Sequence, residues 1–308
     1  MTAVIRAHHL KKKYGQHLAV DDIDLTVRQG SIFGLVGPNG AGKTTILRML
    51  VDVIRPTDGE LTVLGEVPRH SDARLRQRIG YLPGELKLNT RVTGKALLKQ
   101  LAKISGPVDE AYTATLVERL GLDLTRPVRA LSKGNKQKIG LVQAFMHRPE
   151  LLILDEPTSG LDPLMQREFL GLVREARDRG QTVLLSSHIL SEIQHTADEV
   201  AVLAGGRIVA NNDVSSLRLA GVSHLRAVLA GVLIDDLLTH FATIPQLHNI
   251  HSTPAPDNTV RLTASVQGDI DPVIKALARY QILTLSIEEP DLEESILNLY
   301  SPEAANNA

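Results

Sequence analysis

Hydrophobic positions along this chain fall into two rhythms. Three short runs are almost continuously apolar, SIFGLVG at residues 31–37, LLIL at 151–154 and TVLL at 182–185, and each gives way to polar residues. Such runs are what a parallel strand needs when helices cover both of its faces. Apolar residues at three- and four-residue spacings follow at 44–53, 164–177 and 189–196, which predicts a helix after each strand. The pattern is that of a wound α/β sheet. In such sheets ligands bind beyond the carboxyl ends of the strands, so the polar residues closing the three runs are expected to converge.

More than a hundred residues separate the first two runs, far more than the ~30 of one strand–helix–strand crossover. An inserted helical subdomain at about 85–148 is expected, with helical periodicity at 92–104, 110–120 and 136–146. The first 30 residues alternate instead like short strands. Gly205-Gly206 joins VAVLA to RIVA as a hairpin.

Near Ser215 the rhythm changes again, and the chain divides into expected domains of 1–214 and 215–308. The second reads as strand (224–230), helix (233–244), strand (247–252), strand (259–266), helix (269–280), strand (282–289) and a last helix (291–299). That order is the split β-α-β of a ferredoxin-like, α+β domain. TPAPDN at 253–258 reads as its hairpin loop, Asp269 or Asp271 as the start of its second helix, and SPEAANNA as a short disordered tail.

Composition narrows the function. The 308 residues carry 34 Lys and Arg against 35 Asp and Glu, a formal net charge of -1, so no nucleic-acid partner is expected. The absence of cysteine excludes disulfides, cysteine-ligated metal centres and thiol nucleophiles. No apolar run approaches the ~20 residues of a membrane-spanning helix, and the charged N-terminus lacks a signal peptide's apolar segment. A cytoplasmic location is expected.

The first run leads into Gly37-Pro38-Asn39-Gly40-Ala41-Gly42-Lys43-Thr44, which fits G-x-x-x-x-G-K-[ST] between a predicted strand and a predicted helix. Its glycines let backbone N–H groups wrap phosphates, and the helix N-terminus adds partial positive charge. Lys43 can reach the β- and γ-phosphates and Thr44 can ligate Mg²⁺. With Thr45, these residues form the candidate nucleotide-binding segment. Asp155, after LLIL, suits the orientation of Mg²⁺, and Glu156 suits the polarisation of a water beside the γ-phosphate. His188, closing the third run, can donate a hydrogen bond to that phosphate. The other ten histidines show no ligand spacing, so no zinc site is expected, and His8-His9 with Lys11 to Lys13 reads as a solvated strand edge.

Further segments give this set a resemblance over residues 4–210. LSKGNKQ at 131–137, SGLD at 159–162 and the SSH of residues 186–188 stand in the order found in the ATP-binding subunits of ABC transporters. The resemblance implies a P-loop NTPase core of mainly parallel sheet with N-terminal antiparallel strands and the helical insertion. It also implies a Mg-dependent ATPase on the cytoplasmic face of a membrane, pairing as a homo- or heterodimer and driving separate integral-membrane permease subunits. By the same resemblance Tyr14 stacks on adenine, Ser132 and Gly134 touch the γ-phosphate held by an opposing subunit, Asp162 couples the two sites, and Glu156 is the general base.

Two departures stand out. Lys133 and Asn135 replace the commoner glycine and glutamine, although Ser132 and Gly134 are kept. Gly84 stands where the family usually has a glutamine that meets Mg²⁺ and senses the membrane partner, and Glu85 is the nearest substitute, with water the alternative. The stretch IEEPDLEESILNLY at 287–300 resembles the drug- and antibiotic-export branch. The expected function is ATP-driven export. An ATPase acting on ribosomes or DNA fits the single ATP module and the absence of sustained heptads less well, and a regulatory nucleotide sensor leaves Glu156 and His188 unexplained.

Overall fold

The three apolar runs lie side by side in one six-stranded sheet of a computed structural model that describes residues 2–68, 73–189, 193, 196–213 and 222–288. They are β3 (Ile32–Val36), β6 (Leu151–Asp155) and β7 (Thr182–Ser187), buried along their whole length. With β5 (Ile79–Leu82), β8 (Glu199–Ala204) and β9 (Arg207–Asp213) the order is β5-β6-β7-β3-β8-β9. All neighbours are parallel except β8 and β9, the hairpin at Gly205-Gly206. The register places Asp155 opposite Ser186 and Val36 opposite Ser187, so the polar groups closing three strands share one edge of the sheet.

A second, antiparallel sheet has the order β2-β1-β4, from β1 (Ala3–Tyr14), β2 (His17–Arg28) and β4 (Asp58–Val63). The first two strands are 12 residues each, not short. Irregular register at several points lets such long strands bend over a core while breaking the simple alternation in sequence. Helix α1 (Lys43–Leu50) packs Ile46, Leu47 and Leu50 into the core shared by both sheets.

The cluster at His8-His9 sits on the middle strand of this sheet, not on an edge. There His8 pairs with Asp24 at 2.7 Å and His9 with Asp22 at 3.1 Å. Pairing to the neighbouring strand's carboxylates is what lets polar residues occupy a central strand's exposed face.

The insertion between β5 and β6 contains α3 (Gly94–Ser105), α4 (Glu110–Arg119) and α5 (Lys133–Phe145), after the short α2 (Ala73–Gln77) that precedes β5. Side-chain oxygens of Thr93, Asp109 and Ser132 accept the N–H groups of Ala96, Tyr112 and Asn135, capping these helices. Helix α5 begins three residues before the hydrophobic periodicity does, because the Ser132 cap recruits the polar KGNK segment. Asp162 caps α6 (Pro163–Asp178), with Pro163 in its first turn. Of the helix expected at 189–196, residues 190–192, 194 and 195 lie outside the described residues.

The chain separates into two compact units, Met1–Asp213 and Val214–Ala308. In the second, β10 (Val222–Ala230), α7 (Ile234–Phe241), β11 (Leu247–Ala255), β12 (Thr259–Gln267), α8 (Asp271–Leu277) and β13 (Gln281–Glu288) form an antiparallel sheet of order β11-β12-β10-β13. This is the ferredoxin-like arrangement, around Leu225, Leu229, Phe241, Leu262 and Leu277. The loop read from TPAPDN is shorter than expected. Thr253, Pro254 and Ala255 continue β11, an edge strand where proline costs no ladder bond, and Asp257 and Asn258 turn the chain at φ 59 and 56. The helix and tail expected at 291–308 lie outside the described residues.

Candidate active site

Residues 37–44 leave β3 and enter α1, with Pro38, Asn39 and Gly40 exposed and Gly37 and Ala41 buried. Thr44 and Thr45 are half-buried in the first turn. Lys43 is buried. Its ammonium donates to the carbonyls of Gly37 and Pro38 and lies 3.3 Å from Glu156 Oε1. His188 Nδ1 is 2.6 Å from Glu156 Oε2. The Glu156 carboxylate therefore bridges the two side chains expected to meet phosphate.

Asp155 is fully buried. Its Oδ1 accepts a 2.6 Å hydrogen bond from the Ser186 hydroxyl, whereas Oδ2 is buried without a hydrogen-bond partner. A buried carboxylate oxygen left without a donor is costly, and it fits a hydrated dication: the donors are hard oxygens, Asp155 and Thr44, beside the candidate phosphate-binding segment.

Gly84 lies close against this carboxylate. A side chain there would begin 2.9 Å from Asp155 Oδ2, too close for any Cβ. A side chain at position 84 would therefore require the Asp155 carboxylate to shift. Glu85 does not turn toward Asp155. Its side chain is 74% exposed and ion-paired with Lys87 at 3.1 Å, an exposed pairing that holds its carboxyl below the ordinary value.

Ser132 is exposed at the start of α5, where it caps the helix. Gly134 and Lys133 face the turn after Glu156: Lys133 Nζ lies 3.3 Å from Ser159 Oγ. The Asp162 carboxylate caps α6 through the N–H groups of Leu164 and Met165. Tyr14 is exposed at the end of β1, with the Lys12 ammonium 5.2 Å from its ring centre.

Two residues at the site carry contacts that sequence reasoning did not assign. Ser186 Oγ bridges the Asp155 carboxylate and the Glu156 N–H, the latter at 3.0 Å. Gln137, 3% exposed, donates from Nε2 to the carbonyls of Glu156 and Pro157, both at 3.2 Å. The available signal for Gln137 was its place, at helical spacing, on the same face as the apolar residues Leu141 and Ala144.

Comparison with known proteins shows the family. The ABC transporter family matches residues 20–159. The bacitracin transport ATP-binding protein BcrA of Bacillus licheniformis is 38% identical over 212 residues, 68% of this chain and 69% of that protein. The linearmycin resistance ATP-binding protein LnrL of Bacillus subtilis (strain 168) is 30% identical over 308 residues, 96% of this chain and 98% of that one. A solved ATP-binding subunit of an ABC transporter is 29% identical with a TM-score of 0.65, covering 70% of this chain and 92% of its own. The chain therefore belongs to the ATP-binding subunits of ABC transporters, a family of ATPases whose hydrolysis powers transport. The alternative of an ATPase acting on ribosomes or DNA has no support among these relatives. No described helix is long and apolar enough to cross a membrane.

Proposed function

We propose that this protein is the ATP-hydrolysing subunit of an exporter in the drug and antibiotic class. It works as a pair of ATP-binding subunits against separate permease subunits at the cytoplasmic face of the membrane. The observation that carries the reading is the convergence of residues 37–44, Asp155, Glu156 and His188 at one end of β3, β6 and β7. Similarity to a linearmycin resistance protein along 96% of the chain supports the export class.

Each residue has a physical task. The loop at 37–44 and the first turn of α1 offer backbone N–H groups and partial positive charge to the phosphates of ATP. Lys43 exchanges its bonds to the Gly37 and Pro38 carbonyls, and its pairing with Glu156, for the β- and γ-phosphates. That exchange frees Glu156 Oε1 to accept a proton from the attacking water. His188, pairing with Oε2, holds the carboxylate on its other side and donates to the γ-phosphate. Thr44 and Asp155 would hold Mg²⁺, which supplies charge neutralisation for the β- and γ-phosphates. Tyr14 offers an exposed ring to adenine, and Ser132 and Gly134, at the start of α5, are the groups offered to an opposing subunit's nucleotide. Asp162 couples the sites as the first fixed point of α6.

The export reading is tested by purifying the protein with its membrane partner in lipid vesicles and measuring ATP turnover with bacitracin, linearmycin and related antibiotics. Turnover stimulated severalfold by such a compound is expected. An ATPase indifferent to every such compound, and no change in cellular resistance on deletion, would assign it to another transport class.

A further inference from the structure

The backbone of Glu156 has an unusual conformation for a residue with a side chain. Its φ is 47, in the left-handed region that non-glycine residues enter at an energetic cost unless surrounding contacts hold them there. The contacts come from both sides of the peptide. The N–H donates to Ser186 Oγ. The carbonyl accepts from Gln137 Nε2 and from the Ser159 N–H at 3.1 Å. The next carbonyl, of Pro157, accepts from the same Gln137 amide nitrogen. A carboxamide is the smallest side chain offering two N–H groups from one nitrogen, and it spans the two carbonyls without adding a buried charge.

Gln137 is on α5, five residues after its Ser132 cap. The same helix start meets the same turn twice more. Lys133 Nζ approaches Ser159 Oγ, and Gly134 packs so near Gly160 that a Cβ would stand 2.5 Å from the Gly160 carbonyl oxygen. The first turns of α5 and residues 156–160 are thus joined at three points.

We propose that Gln137 is a positioning residue for hydrolysis. It fixes the Glu156 peptide, and so the direction of the Glu156 carboxylate, and carries displacement of the Ser132–Gly134 segment to that peptide. This rests on Glu156 being the general base. It makes Glu156 responsive to engagement of the helix on which Gln137 sits, through two hydrogen bonds within one chain.

The test compares the full-length protein with Gln137→Met, which keeps side-chain length but cannot donate, and Gln137→Glu, of nearly the same shape. Each is made alone and with Glu156→Gln. Affinity for ATP is read with a fluorescent analogue and hydrolysis by single-turnover phosphate release. Both Gln137 variants are expected to bind ATP within about twofold of the parent and to hydrolyse it about 10- to 100-fold more slowly, the penalty of a catalytic group displaced by roughly an ångström. In the Glu156→Gln background the same changes are expected to cost nothing further, because their effect passes through that carboxylate. Equal losses in both backgrounds, or losses of affinity that match the losses of rate, overturn the proposal in favour of a merely structural glutamine. Normal hydrolysis in both Gln137 variants beside an inactive Glu156→Gln overturns it alone. Normal hydrolysis by Glu156→Gln overturns the general-base assignment as well.

Discussion

At the scale of single residues, position 84 shows how a missing side chain constrains a site. Because a Cβ would stand 2.9 Å from Asp155 Oδ2, restoring the family's glutamine is not expected to restore a ligand. Gly84→Gln should displace Asp155 and lower hydrolysis by about tenfold or more, in keeping with the cost of small displacements near reacting groups. Glu85→Ala should leave the Mg²⁺ concentration for half-maximal hydrolysis unchanged, since Glu85 is exposed beside Lys87. A clear rise in that concentration would show Glu85 turning inward when ATP binds. His147, at the end of α5, gives a second expectation. Burial lowers its pKa from the ordinary 6.5, so below about that pH the unfolded chain takes up the proton first. Stability should fall as pH drops through 6.5 and level off once the folded ring protonates too. His147→Gln should flatten that dependence in thermal melts between pH 7.5 and 5.

At the scale of elements, one ionic clasp ties the inserted helices to the sheet unit. Arg119 on α4 meets Glu168 and, through two nitrogens at 2.8 and 2.9 Å, Glu175 on α6. Nearby, Tyr112 of α4 is flanked by the guanidinium groups of Arg148 and Arg179 at 4.4 and 5.4 Å. Bidentate, partly buried pairs exceed ordinary surface bridges in strength. Arg119→Ala should therefore destabilise the protein by about 1–3 kcal/mol in urea unfolding. Hydrogen bonding to Arg119 lowers the Glu175 pKa from 4.5. That share of the stability should be present above pH 4.5 and be lost as pH falls through the folded value. The sequence disclosed elements wherever hydrophobic rhythm was the cause. Strands β3, β6 and β7 were legible as runs, and α6 as a stripe with a proline at its start. It concealed what other contacts decide: the polar first turn of α5, set by the Ser132 cap, and the continuation of β11 through Pro254, set by pairing with β12.

At the scale of the whole molecule, the residues of the candidate site precede Arg207, and the unit from Val214 onward has its own core. A chain ending at residue 214 is expected to bind ATP within about threefold of the full protein, because separately cored units fold on their own. Loss of binding by a folded truncation would make the second unit part of the nucleotide site. Within the first unit, the candidate phosphate-binding segment, Asp155, Glu156 and His188 were legible from motif and spacing. The brackets around them were not. Ser186 reads in sequence as the end of a strand and Gln137 as one letter of LSKGNKQ, and only the parallel register and the packing of α5 reveal what their side chains hold. The account as a whole depends on Glu156 performing the proton transfer. The most direct measurement is single-turnover phosphate release from ATP by the parent and by Glu156→Gln, with ATP affinity measured on the same samples. The expected result is unchanged binding with release slowed by about 10² to 10⁴; equal rates in the two proteins would contradict the account.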